Sequence, residues 1–217
     1  MKNVKLISLE IDVLRTITNV FAQCPPGSSD ASALQATLTH LQRIKPSNTP
    51  ALTPRTLPVC RYLAQTLPTT GPTTWPTSNA ATLLIRALEP LLPSLAWIQN
   101  PNYQVGNMPA GFLENYGYAD IVSGRGLIVD DEFALGMLIL APNTEYPPHH
   151  HPAAEIYYTI GGTARWWQTD QDWVARPPGS FVYHRSGAVH AMRTEDEPVC
   201  LLYAWWGNVQ TAAQLTS

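Results

Sequence analysis

The chain has 217 residues, 45% of them apolar, with 13 Lys and Arg against 16 Asp and Glu for a formal charge of −3. That apolar content is enough for a buried core and excludes a disordered chain. With no basic excess, the sequence excludes a protein that lives on phosphate contacts, so no nucleic-acid partner is expected.

The chain opens on MKNVKLISLEIDVLRTITNVFAQC. Its basic start and the cysteine at position 24 invite comparison with an export signal, but Glu10, Asp12 and Arg15 interrupt any apolar run. Leu6, Leu9, Val13, Ile17 and Val20 instead recur at helical spacing and predict an amphipathic helix. No stretch reaches the roughly 18 uncharged apolar residues of a membrane span, so no membrane partner is expected. Cys24, Cys60 and Cys200 are odd in number and widely spaced, and read as free thiols in a reducing cytoplasm.

Thirteen of the 20 prolines fall between Pro25 and Pro109, where they punctuate short helical patterns. Ser28 to Ile44 reads as a helix with Ser28, Ser29 or Asp30 as cap and Leu34, Leu38 and Leu41 as its stripe. Pro54 to Leu67 is a second candidate. A third follows Ser78-Asn79 through Leu83, Leu84, Ala87, Leu88 and Leu91. The Thr- and Pro-rich stretch from Pro68 to Pro76 reads as a loop. These patterns predict an N-terminal helical region over residues 1–103.

From residue 104 to 217 the period changes. Short runs of Val, Ile, Tyr, Phe and Trp alternate with turn signals, as in an all-β domain. Candidate strands are Gly126–Val129, Phe133–Leu140, Glu155–Ile160, Thr163–Gln168, Ser180–Tyr183, Val189–Arg193 and Val199–Trp206. Gly161-Gly162 is a two-residue hairpin signal. A hairpin there sets Tyr157 opposite Trp166 and Glu155 opposite Gln168, and turns Trp167 away. So many short strands predict a sandwich or barrel, with the helical region packed on it.

The chemistry concentrates in Tyr146-Pro-Pro-His-His-His-Pro-Ala-Ala-Glu-Ile-Tyr-Tyr. His149, His151, Glu155 and Tyr157 share one parity, so an extended chain presents them on one face. Two imidazoles and a carboxylate converging there suit a borderline divalent metal. Tyr158 has the opposite parity and faces away. His150 and His184 are left over, for the surface or for the shell behind the ligands.

The spacing resembles the cupin signature. His149, His151, Glu155 and Gly162 fit its first motif, with Asn143 in place of the leading Gly. Gly179, Gly187 and His190 fit its second motif, with Arg185 for Pro and Thr194 for Asn. Resemblance to cupins implies a jelly-roll barrel and metal ligands His149, His151, Glu155 and His190. The donor set admits Zn, Fe, Mn, Ni or Co.

The runs HHHPAAEIYY, PPGSFVYHRSG and LLYAWWG are further similar to the cupin-type dimethylsulfoniopropionate lyases. That family cleaves dimethylsulfoniopropionate (DMSP) to dimethyl sulfide and acrylate. The resemblance implies Tyr157 as general base and Tyr146 and Trp205 as pocket residues, and the expected hairpin turns Trp166 toward the same site. The chemistry is coherent. A proton beside a carboxylate is weakly acidic, and a dication on that carboxylate acts as a Lewis acid. A free tyrosine has a pKa of about 10, and a nearby dication favours its phenolate. A sulfonium suits aromatic faces, as quaternary ammonium ions do. Because a cupin is a fold and not a reaction, two alternatives stand beside the lyase: a metal-dependent dioxygenase of a small organic acid or thiol, and a ligand-sensing cupin without turnover. The helical region either covers one end of the barrel or makes a homodimer contact.

Overall fold

The computed structural model describes residues 4–23, 31–46, 52–67 and 79–216. The candidate caps Ser28, Ser29 and Asp30, the loop from Pro68 to Pro76, and Cys24 lie outside the described residues. Helix α1 runs Val4–Ala22, α2 Ala31–Arg43, α3 Leu63–Thr66, α4 Asn79–Leu88 and α5 Phe112–Asn115. Short 3-10 turns at Pro58–Tyr62 and Glu89–Ser94 extend α3 and α4, each with a proline at its start. The stripe predicted for α1 is the face it buries, with Val13 and Ile17 fully covered.

Ten strands follow: β1 Tyr116–Val122, β2 Phe133–Leu140, β3 Glu145–His150, β4 Ala153–Gly161, β5 Ala164–Gln168, β6 Val174–Arg176, β7 Phe181–His184, β8 His190–Thr194, β9 Val199–Gly207 and β10 Gln214–Leu215. They form two five-stranded antiparallel sheets, ordered β1-β2-β9-β4-β7 and β10-β3-β8-β5-β6. This is the expected two-sheet cupin arrangement with helices added at the N-terminal side.

The first sheet is buried on both faces, which is why β2 reads FALGMLIL without alternation. Its parity still sorts the side chains. Leu135, Met137 and Ile139 of β2, Ile156, Tyr158 and Ile160 of β4, and Cys200, Leu202 and Ala204 of β9 join the core under the helices. Leu138 and Leu140, Tyr157, and Val199, Leu201 and Tyr203 face the other way, into a second core with Tyr146, Trp166 and Met192 of the second sheet. Phe21 of α1 clamps the outer core, 6.3 Å from the Tyr158 ring and 5.2 Å from Phe181 between centroids.

Two sequence expectations need correction. Gly126–Val129 is not a strand; only Ile128 bridges, to Val122. Gly161-Gly162 is not a hairpin, because β4 and β5 belong to different sheets. The chain crosses there from one sheet to the other. Gly162 has φ +77° and lies so close to Pro198 that a Cβ would sit 1.9 Å from its carbonyl oxygen. Gln168 accordingly pairs with His190 rather than with Glu155.

The departures from the motif have local explanations. Asn143 has φ +52°, a left-handed position that asparagine tolerates and glycine usually fills. Thr194 is buried and donates to the carbonyl of Ala141 at 2.6 Å, while its oxygen accepts from the Thr144 amide at 3.0 Å. It thereby ties the end of β8 to the β2–β3 turn. Behind Arg185, the Gly187 amide donates to the His151 carbonyl at 2.9 Å and Ser186 Oγ to the Pro152 carbonyl at 2.6 Å.

Candidate active site

The candidate metal donors come from both sheets. Glu155 is on β4, His149 on β3 and His190 on β8, where His149 and His190 are direct cross-strand partners. His151 sits at the corner between β3 and β4. All four are buried. One ligand atom from each of His151, Glu155 and His190 lies within 4.8 Å of the others. His151 Nε2 is 2.9 Å from Glu155 Oε2, and His190 Nε2 is 3.4 Å from the same oxygen. The His149 ring stands beside them, its centroid 4.2 Å from that of His190.

The three imidazoles are oriented alike. Nδ1 of His149 lies 2.8 Å from the Pro147 carbonyl, that of His151 3.0 Å from Ala153, and that of His190 2.9 Å from Ala188. A carbonyl only accepts, so each Nδ1 carries a proton and each ring turns its Nε2 toward the cluster. Such outer hydrogen bonds are what metal-ligating histidines make. His190 Nε2 is buried without a hydrogen bond. His151 Nε2 and a Glu155 carboxylate oxygen face one another beside it. This donor set fits a divalent cation.

Burial pushes the Glu155 carboxyl up, but the facing His151 ring first, and the His190 ring after it, hold it well below the usual carboxylate range. Burial lowers His149, and His190 adds to the effect. Trp205 Nε1 donates to Glu155 Oε1, and its ring stacks on His151 with centroids 4.1 Å apart. Tyr146 stacks on His149 at 4.0 Å and an interplanar angle of 8°, and its hydroxyl meets that of Tyr103 at 2.9 Å.

Tyr157 points inward, as its parity requires, and Tyr158 outward. In the protein alone the Tyr157 phenol is pushed well above its ordinary value, by burial first and then by the Glu155 charge. Trp166 does meet Tyr157, with centroids 4.7 Å apart, but across the space between the sheets rather than along a hairpin. Trp167 turns away beside Trp173.

A cavity of about 330 Å³ opens on this cluster. Tyr146, Glu155, Tyr157 and Trp205 are in its wall; His149, His151, His190 and Trp166 are not. Its far wall brings in residues that the sequence reading missed: Tyr116, Tyr118, Asp120, Arg125 and Tyr203. Asp120 and Tyr203 are distant in sequence, and no motif links them. His184 is likewise not at the surface. It is fully buried, stacked on His190 at 3.8 Å, with no hydrogen bond to either ring nitrogen.

A protein-family model described as dimethylsulfoniopropionate lyase matches residues 30–202. The chain is 32% identical over 114 residues to dimethylsulfoniopropionate lyase DddQ of Ruegeria pomeroyi, covering 52% of this chain and 57% of the relative. It is 33% identical over 131 residues to the putative lyase DddL of Cereibacter sphaeroides, covering 59% and 53%. The chain thus matches about half the length of these curated relatives. Among solved structures, one from a study of the DMSP lyases RdDddP and RnDddQII superposes with TM-score 0.77 at 19% identity, over 97% of this chain and 98% of that one. DddQ of Ruegeria pomeroyi DSS-3 gives TM-score 0.72 at 24% identity, over 96% of each chain. These superpositions extend the shared fold to the N-terminal helices.

Proposed function

The chain belongs to the dimethylsulfoniopropionate lyase family, and from that premise we propose that it cleaves DMSP to dimethyl sulfide and acrylate, with a divalent metal and with Tyr157 as general base. The observation that carries this reading is the Tyr157 phenol in the wall of a cavity it shares with Glu155, beside a buried His/His/Glu cluster. His151, Glu155 and His190 would hold the ion, with His149 as fourth donor. An ion of that kind (Zn, Fe, Mn, Ni or Co) would neutralise the substrate carboxylate and favour the phenolate of Tyr157, against the burial and the Glu155 charge that oppose it.

The remaining work falls to the chain itself. The Tyr157 oxygen takes a proton from the carbon next to the carboxylate. The electron pair of that C–H bond becomes the second bond of the alkene. The C–S bond breaks, and its pair leaves with sulfur as neutral dimethyl sulfide. Tyr146 and Trp205 pack against the donor rings and wall the cavity, while Trp166 backs the Tyr157 ring. Phenol and indole faces offer the sulfonium diffuse negative potential.

Among the described residues no helix is long and apolar enough to cross a membrane, and Cys60 and Cys200 are unpaired thiols, which is in keeping with a cytoplasmic enzyme. Headspace gas chromatography of the purified protein with DMSP is the test. We expect dimethyl sulfide and an equal amount of acrylate, lost on chelation and restored by added metal. Metal-replete protein that releases neither product overturns the reading.

A further inference from the structure

The cavity is longer than the molecule it is proposed to hold. Tyr146, Glu155 and Tyr157 in its wall are buried. Gly124, Arg125, Asp131 and Gln210 in the same wall are exposed. These outer residues form one rim: Gln210 Nε2 donates to the Asp131 carbonyl at 3.1 Å, and a Cβ on Gly124 would lie 2.7 Å from Asp131 Oδ1. The cavity is therefore a channel, with the donor cluster at its floor and solvent at its mouth. Asp120, Gly136, Tyr203 and Tyr157 lie in one register row across β1, β2, β9 and β4. At about 4.8 Å per strand, the row spans roughly 14 Å from Tyr157 to Asp120, which is bonded to Arg125 of the rim.

The sulfur of DMSP stands three single bonds from its carboxyl carbon, about 4 Å in an extended chain. With the carboxylate at the donors, its methyl groups end well short of the mouth. The volume agrees: about 330 Å³ is the size of a pocket for a drug-sized ligand, and DMSP is much smaller. The unfilled part is walled by Ala134 and Leu138 of β2 and by Tyr116, Tyr118 and Tyr203. Its polar groups are engaged with one another. Arg125 Nε donates to Asp120 Oδ2 at 2.7 Å, and Arg125 Nη2 to the Tyr118 hydroxyl at 2.7 Å. The Tyr203 ring passes over β2, where a Cβ on Gly136 would collide with its hydroxyl, and that hydroxyl donates to Asp120 Oδ1. Charges paired in this way ask for no charge on a ligand, and the phenols are left with carbon faces to offer.

We propose that the site takes a wider class of substrate than DMSP: 3-sulfoniopropanoates in which one S-methyl is replaced by an unbranched alkyl chain, such as butyl, that runs along the channel toward Arg125. An extended butyl chain is about 5 Å long and fits the free length. The inference rests on the lyase reading for the position of the substrate carboxylate at the metal donors. The chemistry is unchanged. Tyr157 takes the proton next to the carboxylate, the C–H pair becomes the second bond of acrylate, and the C–S pair leaves with sulfur as neutral butyl methyl sulfide.

The first test is binding, by calorimetric titration of the metal-loaded protein with 3-(trimethylammonio)propanoate and 3-(butyldimethylammonio)propanoate. The two share acid and charge and differ by three methylenes. The butyl compound should bind at least about tenfold tighter, because those methylenes leave water for an apolar wall. Ala134→Leu fills part of that wall and should abolish the gain, with the trimethyl compound held within about threefold of wild type. Equal or weaker binding of the butyl compound by the wild type overturns the proposal, as does a gain that survives Ala134→Leu. Should Ala134→Leu not fold, Ala212→Leu decides in the same way, from the segment after β9 that lines the same channel. The second test is turnover of 3-(butylmethylsulfonio)propanoate beside DMSP, read as sulfide in the headspace. The two kcat/KM values should agree within about threefold or favour the butyl compound. Release of dimethyl sulfide from DMSP without release of butyl methyl sulfide overturns the proposal. Release of neither, with the butyl gain in binding intact, counts against the lyase reading instead.

Discussion

At the scale of single residues, the proposed elimination turns on one oxygen atom, that of the Tyr157 phenol. Tyr157→Phe removes it and leaves the ring against Trp166. The His and Glu donors are untouched, so metal content by elemental analysis should equal that of the wild type. Dimethyl sulfide release should fall by about 10²–10⁴-fold, the usual contribution of a positioned general base. Full activity in this variant removes Tyr157 from the chemistry. The inward position of Tyr157 was legible in the sequence because strand parity is a strict period of two, which also predicted the outward turn of Tyr158. His184 was not legible. Its burial depends on β7 pairing with β4, which sets it opposite Glu155. Asp120 was hidden for a similar reason: its partner Tyr203 is 83 positions away, and the glycine that lets them meet is on a third strand.

At the scale of elements, glycine at the sheet crossing is a steric requirement. Gly162→Ala has to accept a positive φ and a Cβ 1.9 Å from the Pro198 carbonyl oxygen. We expect a loss of at least about 3 kcal/mol in urea unfolding, more than a left-handed residue alone would cost. Asn143→Gly is the control. It keeps a left-handed turn that glycine adopts freely, and its stability should stay within about 0.5 kcal/mol of wild type. Wild-type stability in Gly162→Ala would contradict the close approach at this corner. The same position explains a limit of sequence reading. A Gly-Gly pair between two strand patterns announces a sharp reversal, but a hairpin and a crossing between sheets use the same local conformation. Only the partner strands, β9 for β4 and β8 for β5, decide between them. The strand β1 was missed because Tyr116-Gly-Tyr-Ala-Asp-Ile-Val mixes a glycine and a charge into its run: Asp120 is in the cavity wall, while Gly117 lies close under Leu57 and Val59 on the other face of the sheet.

At the scale of the whole molecule, the helical region and the sheets share one core. The helix residues Val13, Ile17 and Phe21 belong to the same buried cluster as Ile156, Tyr158 and Leu202. The composition change near residue 100 is therefore a change of secondary structure, and we propose that residues 1–103 and 104–217 fold as one cooperative unit. Phe21→Ala in the full chain deletes the ring wedged against Tyr158 and Phe181. It should cost about 3–5 kcal/mol, a large part of the 5–15 kcal/mol that holds a typical domain together. Thermal unfolding of that variant should remain a single transition, followed identically by near-ultraviolet circular dichroism from the barrel aromatics and by far-ultraviolet signal from the helices. The segment 104–217 expressed alone would expose the outer face of its first sheet, including Leu135, Met137, Ile139, Ile156, Tyr158, Ile160 and Leu202. An apolar surface of that kind drives association, so the segment should collect in the insoluble fraction. A soluble monomeric 104–217 with a native-like near-ultraviolet spectrum, or two separate transitions in Phe21→Ala, would mean that the barrel stands without its helices.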